Sequence, residues 1–309
     1  MNKVYFITYH YVRPIKNSKY PNLKGLELNK FVNQLDLLQK KFHIINYDDL
    51  CSLIKKKKKN YFNKDLCVLT FDDGYKDCIK YVLPELKKRN LSALFFPTVN
   101  SSEKMQILDV NKIQFLLASQ KSTKKIYDMI YQNLTTPEIK KIKNNKKKFI
   151  NKHPYDSKDI SFLKFLLSNF FYSKKILDIL FKKFVTKNFT KFAQNLYLSK
   201  NDLINLHKNG MFIGCHGTNH IHLNQIKKNE INREISNNIL FLKKLKIFKK
   251  DWIMCYPYGS YNKSTISIIK KKKCFLGLTI NAGINYLNKI NKYEIKRIDC
   301  NEVRKLCKS

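Results

Sequence analysis

The chain has 309 residues, of which 43% are hydrophobic and 13% aromatic. This composition is typical of a packed globular domain and excludes an intrinsically disordered chain. The formal net charge of +38 at pH 7 fits either a nucleic-acid or anionic-membrane surface, or a compositional bias that spreads lysine over solvated loops and helix faces. We favour the bias, because the lysines are spread along the chain without a nucleic-acid-binding motif, and we predict no nucleic-acid partner.

The spacing of the eight cysteines and the length of the apolar stretches indicate the cellular compartment. No two cysteines are spaced as CxxC and several lie in apolar runs, so we interpret them as small buried side chains in a reducing compartment. The apolar stretch near the N-terminus is too short for a signal peptide, and no run of about 18 apolar residues occurs. We therefore expect a cytoplasmic protein without a membrane span.

Strand and helix patterns alternate over the first hundred residues. Apolar, β-branched runs predict strands, and apolar residues at helical spacing predict the helices between them. Such alternation is typical of a parallel sheet or barrel, whose functional residues gather at the carboxyl ends of the strands. The predicted elements are strands at 4–8, 42–45, 66–71 and 92–97, with helical patterns from residue 25, from residue 48 and at 75–89.

The alternation stops from about residue 101 to 196, in a lysine- and asparagine-rich stretch. Helical spacing occurs at 113–117, 126–134 and 160–185, and Pro137 and Pro154 supply breaks. We predict a helical insertion at about 101–196 in a single domain of residues 1–309. The insertion is either a lid or a surface that binds substrate or a partner, or it is an insertion without a functional role.

One helix of the insertion, at 162–184, is both cationic and aromatic. This face either rests peripherally on an anionic membrane or packs against the barrel, and packing is the commoner outcome. Its aromatic residues are Phe162, Phe165, Phe170, Phe171 and Phe181.

Alternation resumes after the insertion. Ser199 is placed to cap a helix that runs to His207, and Gly210 is placed to end it. The following elements are predicted as strands at 211–214, 252–256, 275–278 and 295–298, and helices at 230–248 and 264–271.

Two adjacent carboxylates, Asp72 and Asp73, follow the strand at 66–71. Neighbouring strand residues point to opposite sides, so both are usable at one site only where the strand ends and the backbone bends. Asp-Asp-Gly alone is typical of a surface turn. However, His216 and His220 follow another strand, and one aspartate with two histidines is a ligand set for a catalytic zinc-type ion with open positions.

Three segments, TFDDGY at 70–75, IGCHGTNH at 213–220 and YPYG at 256–259, resemble in order the motifs of the polysaccharide deacetylases. This family is also known as the NodB-homology family or carbohydrate esterase family 4. The resemblance covers about 1–100 and 196–300, and the insertion is unmatched. It implies a distorted (β/α) barrel of the α/β class and a metal-dependent hydrolase that removes N-acetyl groups from sugars.

The resemblance also implies roles for individual residues. Asp73, His216 and His220 match the metal ligands, and Asp72 matches the catalytic base. The expected ion is zinc, with cobalt, nickel or manganese as alternatives. Tyr258 matches a tyrosine whose backbone N–H donates to the oxyanion and whose ring lines the sugar groove; otherwise its segment is an ordinary Pro-Tyr-Gly turn.

The sequence departs from the family at two positions. Many members carry an arginine that pairs with the base, and the aligned residue here is Cys255; Arg297, on the last predicted strand, is the candidate replacement. The family's general acid is usually a C-terminal histidine, yet none follows His222, which we interpret as a rim or structural histidine. His10 lies in Tyr-His-Tyr-Val, which resembles the biofilm-polysaccharide deacetylases with an N-terminal Tyr-His segment, and we predict it as the acid, with a structural histidine as the alternative.

Residues 281–283 resemble the small-residue loop of the family's fourth motif and are expected to wall the pocket. The resemblance implies an acetylated sugar or glycan precursor as substrate, with nucleotide-linked and lipid-linked forms among the candidates, in surface polysaccharide metabolism. A positive field would attract such an anionic substrate. The alternative is a catalytically degenerate member that acts as a glycan-binding module, motivated by the missing arginine and the missing C-terminal histidine.

Overall fold

The structure is a computed structural model that describes residues 3–56, 63–120, 122–140, 142, 156–169 and 173–308. The chain forms two compact units. The first comprises Met1–Pro14, Gly25–Gln106 and Ala193–Ser309, and the second comprises Ile15–Lys24 and Ile107–Phe192.

The strands belong to the first unit, and their bounds follow the apolar runs of the sequence. The strands are β1 (Lys3–Tyr9), β2 (Val12–Arg13), β3 (Leu26–Glu27), β4 (His43–Ile44), β5 (Leu66–Asp73), β6 (Leu94–Pro97), β7 (Phe212–Ile213), β8 (Ile253–Cys255), β9 (Leu276–Ala282), β10 (Asn285–Tyr286) and β11 (Ile295–Asp299).

Within the described ranges, nine strands form one sheet, whose main path runs β7-β6-β5-β1-β11-β9-β8 with parallel pairing throughout. A bridge between Cys215 and Met254 joins the two outer strands of this path. It consists of an N–H···O bond from Cys215 to Ile253 (2.9 Å) and another from Cys255 to Cys215 (2.8 Å). The predicted α/β class and distorted barrel are confirmed.

The helices follow the predicted order, with differences at their ends. They are α1 (Leu28–Lys41), α2 (Tyr47–Lys56), a π-helix (Cys78–Val82), α3 (Leu83–Lys88), α4 (Val99–Glu103), α5 (Asp109–Ser119), α6 (Lys124–Gln132), α7 (Lys158–Asn169), α8 (Ser173–Phe184), α9 (Phe189–Leu196), α10 (Lys200–Lys208), α11 (Lys228–Lys244), α12 (Lys263–Lys271) and α13 (Val303–Lys308).

The prediction of one helix over 75–89 is wrong at its start. Leu198 N–H donates to the Gly74 carbonyl (2.9 Å), and Lys76 N–H donates to the Leu196 carbonyl (2.8 Å). These bonds form an antiparallel bridge between Tyr75 and Tyr197, and a π-helix then precedes α3. Long-range pairing therefore overrides the local helical pattern.

The predicted cap of α10 is confirmed. Asp202 N–H donates to the Ser199 hydroxyl at 3.2 Å, and Ser199 N–H donates to the Asp202 carboxylate at 2.7 Å, which together form a capping box. The chain leaves this helix through Gly210, whose φ of +79° favours glycine. The capped helix leads directly into β7.

In the second unit, the helix predicted at 162–184 overlaps α7 and α8, and residues 170–172 between these two helices lie outside the described residues. Phe162 is buried with Ile142. Phe181 is also buried, and its ring packs edge-on against those of Phe189 and Phe192, with centroid distances of 5.2 and 5.3 Å. Phe170, Phe171 and Pro154 lie outside the described residues.

In the part of the chain that the structure describes, no helix is long and apolar enough to cross a membrane.

Candidate active site

Strand β5 ends with the two aspartates, and its backbone bends between them as predicted. Asp73 has a φ of +67° and Gly74 a φ of +72°, both in the left-handed region. A side chain at Gly74 would also meet the Cβ of Pro97 at 2.8 Å. The bend lets the carboxylates of Asp72 and Asp73 meet different partners, although both are buried.

Asp73 is brought together with the two predicted histidines. Its Oδ1 lies 3.2 Å from Nε2 of His216 and 3.1 Å from Nε2 of His220, and all three side chains are buried. Among the described residues, no group makes a standard hydrogen bond to this Oδ1. The pKa of Asp73 lies well below its usual range, because the two imidazoles outweigh the opposing effect of burial.

These three residues fit a divalent cation. A tetrahedral ion with bonds of about 2.0–2.2 Å separates its ligands by roughly 3.3–3.6 Å, a few tenths of an ångström more than the observed N···O distances of 3.2 and 3.1 Å. A buried carboxylate oxygen without a hydrogen bond, facing two imidazole nitrogens, is an arrangement that a shared cation satisfies. Asp73, His216 and His220 also form one of the groups of potential ligands found in the described residues.

Two further contacts orient the ligand atoms. His216 Nδ1 lies 2.8 Å from the carbonyl oxygen of Cys255, so this nitrogen carries a proton and donates, and Nε2 is the ring nitrogen that faces Asp73. The Tyr75 hydroxyl donates to Oδ2 of Asp73 at 2.6 Å, which leaves Oδ1 to face the histidines. Tyr75 belongs to the TFDDGY segment, but the sequence analysis predicted no role for it.

The second aspartate meets a cation of the protein itself. Arg297 on β11 donates from Nη1 to Oδ1 of Asp72 (2.9 Å) and from Nη2 to Oδ2 (2.8 Å). Its Nε donates to the Thr279 carbonyl at 2.7 Å, and the guanidinium is buried. Burial opposes ionisation of Asp72, but the guanidinium outweighs it and lowers the pKa of the carboxyl below its usual value.

Cys255 lies beside this pair, where the family resemblance aligns an arginine. Its Sγ is 3.4 Å from Oδ1 of Asp72 and is fully buried. Burial raises the pKa of the thiol, so it stays protonated and acts as a weak donor. The structure thus places a small thiol from β8 and a guanidinium from β11 on the same carboxylate.

His10 and Tyr258 lie at the border of this cluster. His10 follows β1, is exposed, and places Nε2 3.9 Å from Oδ2 of Asp72. The ring of Tyr258 lies 4.4 Å from that of His220 and stacks on His222 at 4.1 Å with an interplanar angle of 10°. Tyr258 has a φ of +57° and is exposed, and His222 is exposed as well. Residues 281 and 282 lie at the exposed end of β9, where Ala282 is in register with Arg297.

Sequence reasoning missed two polar residues of α11 that hydrogen-bond the histidine-bearing loop, Glu234 and Asn238. Both are buried on the face that also carries Ile231, Ile235 and Leu242. A carboxylate and an amide on the apolar face of a helix indicate buried hydrogen bonds, because buried polar groups need partners. The sequence does not identify those partners.

Residues 59–153 and 170–274 match the family described as polysaccharide deacetylase. No curated protein gives a significant match to the chain. Among solved structures, the chain is similar to the Streptococcus pyogenes deacetylase PplD in complex with acetate, with 15% identity and a TM-score of 0.61 over 96% of this chain and 92% of that one. It is similar to IcaB from Ammonifex degensii, with 14% identity and a TM-score of 0.59 over 100% of this chain and 97% of that one.

A third similar structure is a de-N-acetylase from Aggregatibacter actinomycetemcomitans, with 17% identity and a TM-score of 0.59 over 99% of this chain and 100% of that one. At such identities the likeness establishes the fold and no more. The family match, in contrast, is made by the sequence itself and spans more than half of it. The chain therefore belongs to the polysaccharide deacetylase family.

Proposed function

We propose that the chain is a metal-dependent carbohydrate deacetylase that hydrolyses the N-acetyl group of an acetylated sugar or glycan precursor. Its family supports carbohydrate deacetylase activity in general terms. The observation that carries the finer proposal is the oxygen of Asp73 held within 3.2 Å of two imidazole nitrogens, with the carboxylate of Asp72 on the preceding residue.

Asp73, His216 and His220 would hold the ion. Zinc is the favoured metal because two imidazoles and one carboxylate form a common set for catalytic zinc, and cobalt, nickel or manganese remain alternatives. When bound, such an ion supplies Lewis acidity to the acyl group and to the attacking water.

Asp72 is suited to the role of general base. Two supports for this role are the ion pair with Arg297, which favours the ionised carboxylate, and the position of Asp72 directly before the proposed ligand Asp73. In the proposed reaction Asp72 takes a proton from the attacking water, the C–N bond of the acetamido group breaks, and acetate and a free amine leave. The backbone N–H of Tyr258 is proposed to donate to the oxyanion that forms on the acetyl carbonyl.

His10 is proposed as the general acid. The amine leaves as a neutral species only if it gains a proton, and imidazole is the side chain suited to supply one near neutral pH. The 3.9 Å distance between Nε2 of His10 and Oδ2 of Asp72 supports the proposal that both residues act at one site. His10 is exposed, so its imidazole is accessible to a substrate from solvent.

The glycan-binding alternative loses part of its support. It was motivated by the missing arginine at position 255, and Arg297 supplies a guanidinium to the same base from another strand. The expected cytoplasmic location favours a nucleotide- or lipid-linked precursor of a surface glycan over a finished polymer, and this remains a proposal.

The test is acetate release from a panel of N-acetylated nucleotide sugars and oligosaccharides, with O-acetylated sugars for comparison, in the presence of zinc or cobalt. We expect release that depends on the metal and falls by about 10²- to 10⁴-fold in Asp72→Asn, which keeps the shape of the base without its charge. Bound metal without release from any substrate would instead favour the glycan-binding module. No bound metal would contradict the assignment of the site.

A further inference from the structure

The loop that carries both histidines has an unusual backbone. Gly217 has a φ of +76° and His220 a φ of +53°. A non-glycine residue adopts the left-handed region only when its surroundings hold it there. The contacts that hold residues 216–220 are therefore part of what places the imidazole of His220.

Glu234 makes the densest set of these contacts. Its Oε2 accepts hydrogen bonds from the backbone N–H groups of Thr218 and Asn219, both at 2.9 Å, and its Oε1 accepts from the side-chain amide of Asn219. The Thr218 hydroxyl also donates to the backbone carbonyl of Glu234 at 2.9 Å. The carboxylate is 5% exposed, so these charge-assisted bonds form away from water.

Other contacts hold the opposite side and the start of the loop. Val99 and Asn100, at the start of α4, donate their backbone N–H groups to the carbonyls of Gly217 (3.3 Å) and Thr218 (3.1 Å). Asn238 accepts from the backbone N–H of His216 at 2.8 Å. The loop is thus bound between α4 and α11.

The two histidines differ in what orients them. The His216 ring is fixed by its Nδ1 contact to the Cys255 carbonyl. The Nδ1 of His220, in contrast, has no hydrogen-bond partner among the described residues. The position of the His220 ring therefore depends more strongly on the backbone that precedes it, and Glu234 binds that backbone at Thr218 and Asn219.

We propose that Glu234 is a positioning residue of the metal centre: its carboxylate fixes the loop so that Nε2 of His220 reaches Oδ1 of Asp73. This inference rests on the proposed metal site and adds a residue outside the recognised motifs. Groups that orient ligands from behind typically change metal affinity by about 10- to 100-fold when they are removed.

The test measures zinc affinity of the metal-free protein by competition with a chromophoric chelator. Glu234→Ala removes every acceptor and is expected to bind zinc about 10- to 100-fold more weakly than wild type. Glu234→Gln keeps a carbonyl oxygen for the two backbone donors. Its loss of zinc affinity should therefore be measurable but smaller than that of Glu234→Ala. Glu230→Ala is the matched control, because Glu230 lies one turn earlier on α11, is half-buried, and accepts from Lys227 N–H (2.9 Å) rather than from the loop at 216–220 among its described contacts.

The visible spectrum of the cobalt(II) form supplies a second readout, since band intensity reports coordination number and geometry. Positioning predicts a changed cobalt spectrum in both Glu234 variants and an unchanged one in Glu230→Ala. Wild-type affinity and spectrum in both variants would overturn the inference, as would an equal affinity loss in Glu230→Ala. If the alanine variant does not fold, the isosteric glutamine variant decides by the same criteria. Wild-type protein that binds no zinc would overturn the metal site and the inference together.

Discussion

Arg297 and Asp72 form a buried, two-bonded ion pair between strands that are not neighbours. Arg297 lies on β11 and Asp72 lies near the carboxyl end of β5, and β1 lies between these two strands in the sheet. A third donation, from Nη1 to the Thr70 hydroxyl at 3.3 Å, holds the same side chain to β5. The pair therefore fixes both the plane and the charge of the carboxylate that we assign as the base.

Replacement of this arginine should shift the acid limb of the pH profile. In Arg297→Gln the carboxylate of Asp72 loses its cation while it stays buried, so its pKa rises and it becomes protonated at a higher pH. The acid limb of kcat/KM should then move to higher pH. Loss of one partner of a buried pair should also lower the free energy of unfolding by about 3–5 kcal/mol.

Arg13→Gln is the matched control for that loss of stability. Arg13 makes another ion pair, with the buried Asp77 at 2.8 Å, and does not contact Asp72. The Arg13→Gln variant should lower the midpoint of urea unfolding without moving the acid limb of the kcat/KM profile. An acid limb that stays in place in Arg297→Gln would show that Asp72 is not the titrating base.

His10→Ala should separate proton donation from metal binding. His10 faces Asp72 and makes none of the described contacts to Asp73, so zinc affinity should stay at the wild-type value. Loss of a general acid should lower kcat on an N-acetyl sugar by about 10²- to 10⁴-fold. On 4-nitrophenyl acetate, whose leaving group needs no proton, the variant should keep most of its activity.

His222→Ala is the comparison, since it removes another exposed imidazole near the site that stacks on Tyr258 without contacting the base in the described structure. We expect a much smaller fall in kcat on the amide. An equal fall on the amide and the ester in His10→Ala would argue against proton donation to the leaving amine.

The sequence predicted those parts of the site that depend on where strands end. Asp72, Asp73 and His216 follow apolar runs, and parallel pairing brings such ends to one edge whatever the connecting loops are. The contact of Arg297 was predictable only as a candidate, because it depends on the sheet curving enough to bring β11 near β5. Glu234 and Tyr75 were missed as supporting residues, since their partners are set by tertiary packing and leave no local spacing to read.

The same limit explains an error in secondary structure. The helical pattern over 75–89 is real, but hydrogen bonds to residues 196 and 198, more than 100 positions away, form an antiparallel bridge at Tyr75, so the helical segment begins later than predicted. Local periodicity identifies the elements more reliably than their boundaries.

Tyr75→Phe should weaken zinc binding while leaving the fold intact. The variant removes the hydroxyl that donates to Oδ2 of Asp73 at 2.6 Å, so the carboxylate is free to rotate and its ligand oxygen is less well placed. By analogy with other groups that hold metal ligands, affinity should fall about 10- to 100-fold in chelator competition.

Tyr9→Phe is the control for that variant. Tyr9 is also fully buried, but its hydroxyl has no hydrogen-bond partner within the described ranges. Removal of this hydroxyl should leave zinc affinity unchanged and stability equal or slightly higher, because no bond is lost. If both variants bind zinc as wild type does, the contact from Tyr75 has no part in holding the ligand.

Zinc should stabilise the folded protein, and the stabilisation should require His220. Because the three ligand atoms converge only in the folded chain, zinc at about 100 times its dissociation constant should add about 2.7 kcal/mol, and a chelator should remove this increment. Thermal unfolding with and without zinc measures it as a difference in Tm. His220→Ala should lose most of the increment because it removes a ligand, whereas Asp72→Asn should keep it because Asp72 pairs with Arg297 instead. An increment of equal size in wild type and His220→Ala would mean that zinc stabilises the chain elsewhere, and would contradict the assignment of these three side chains as its ligands.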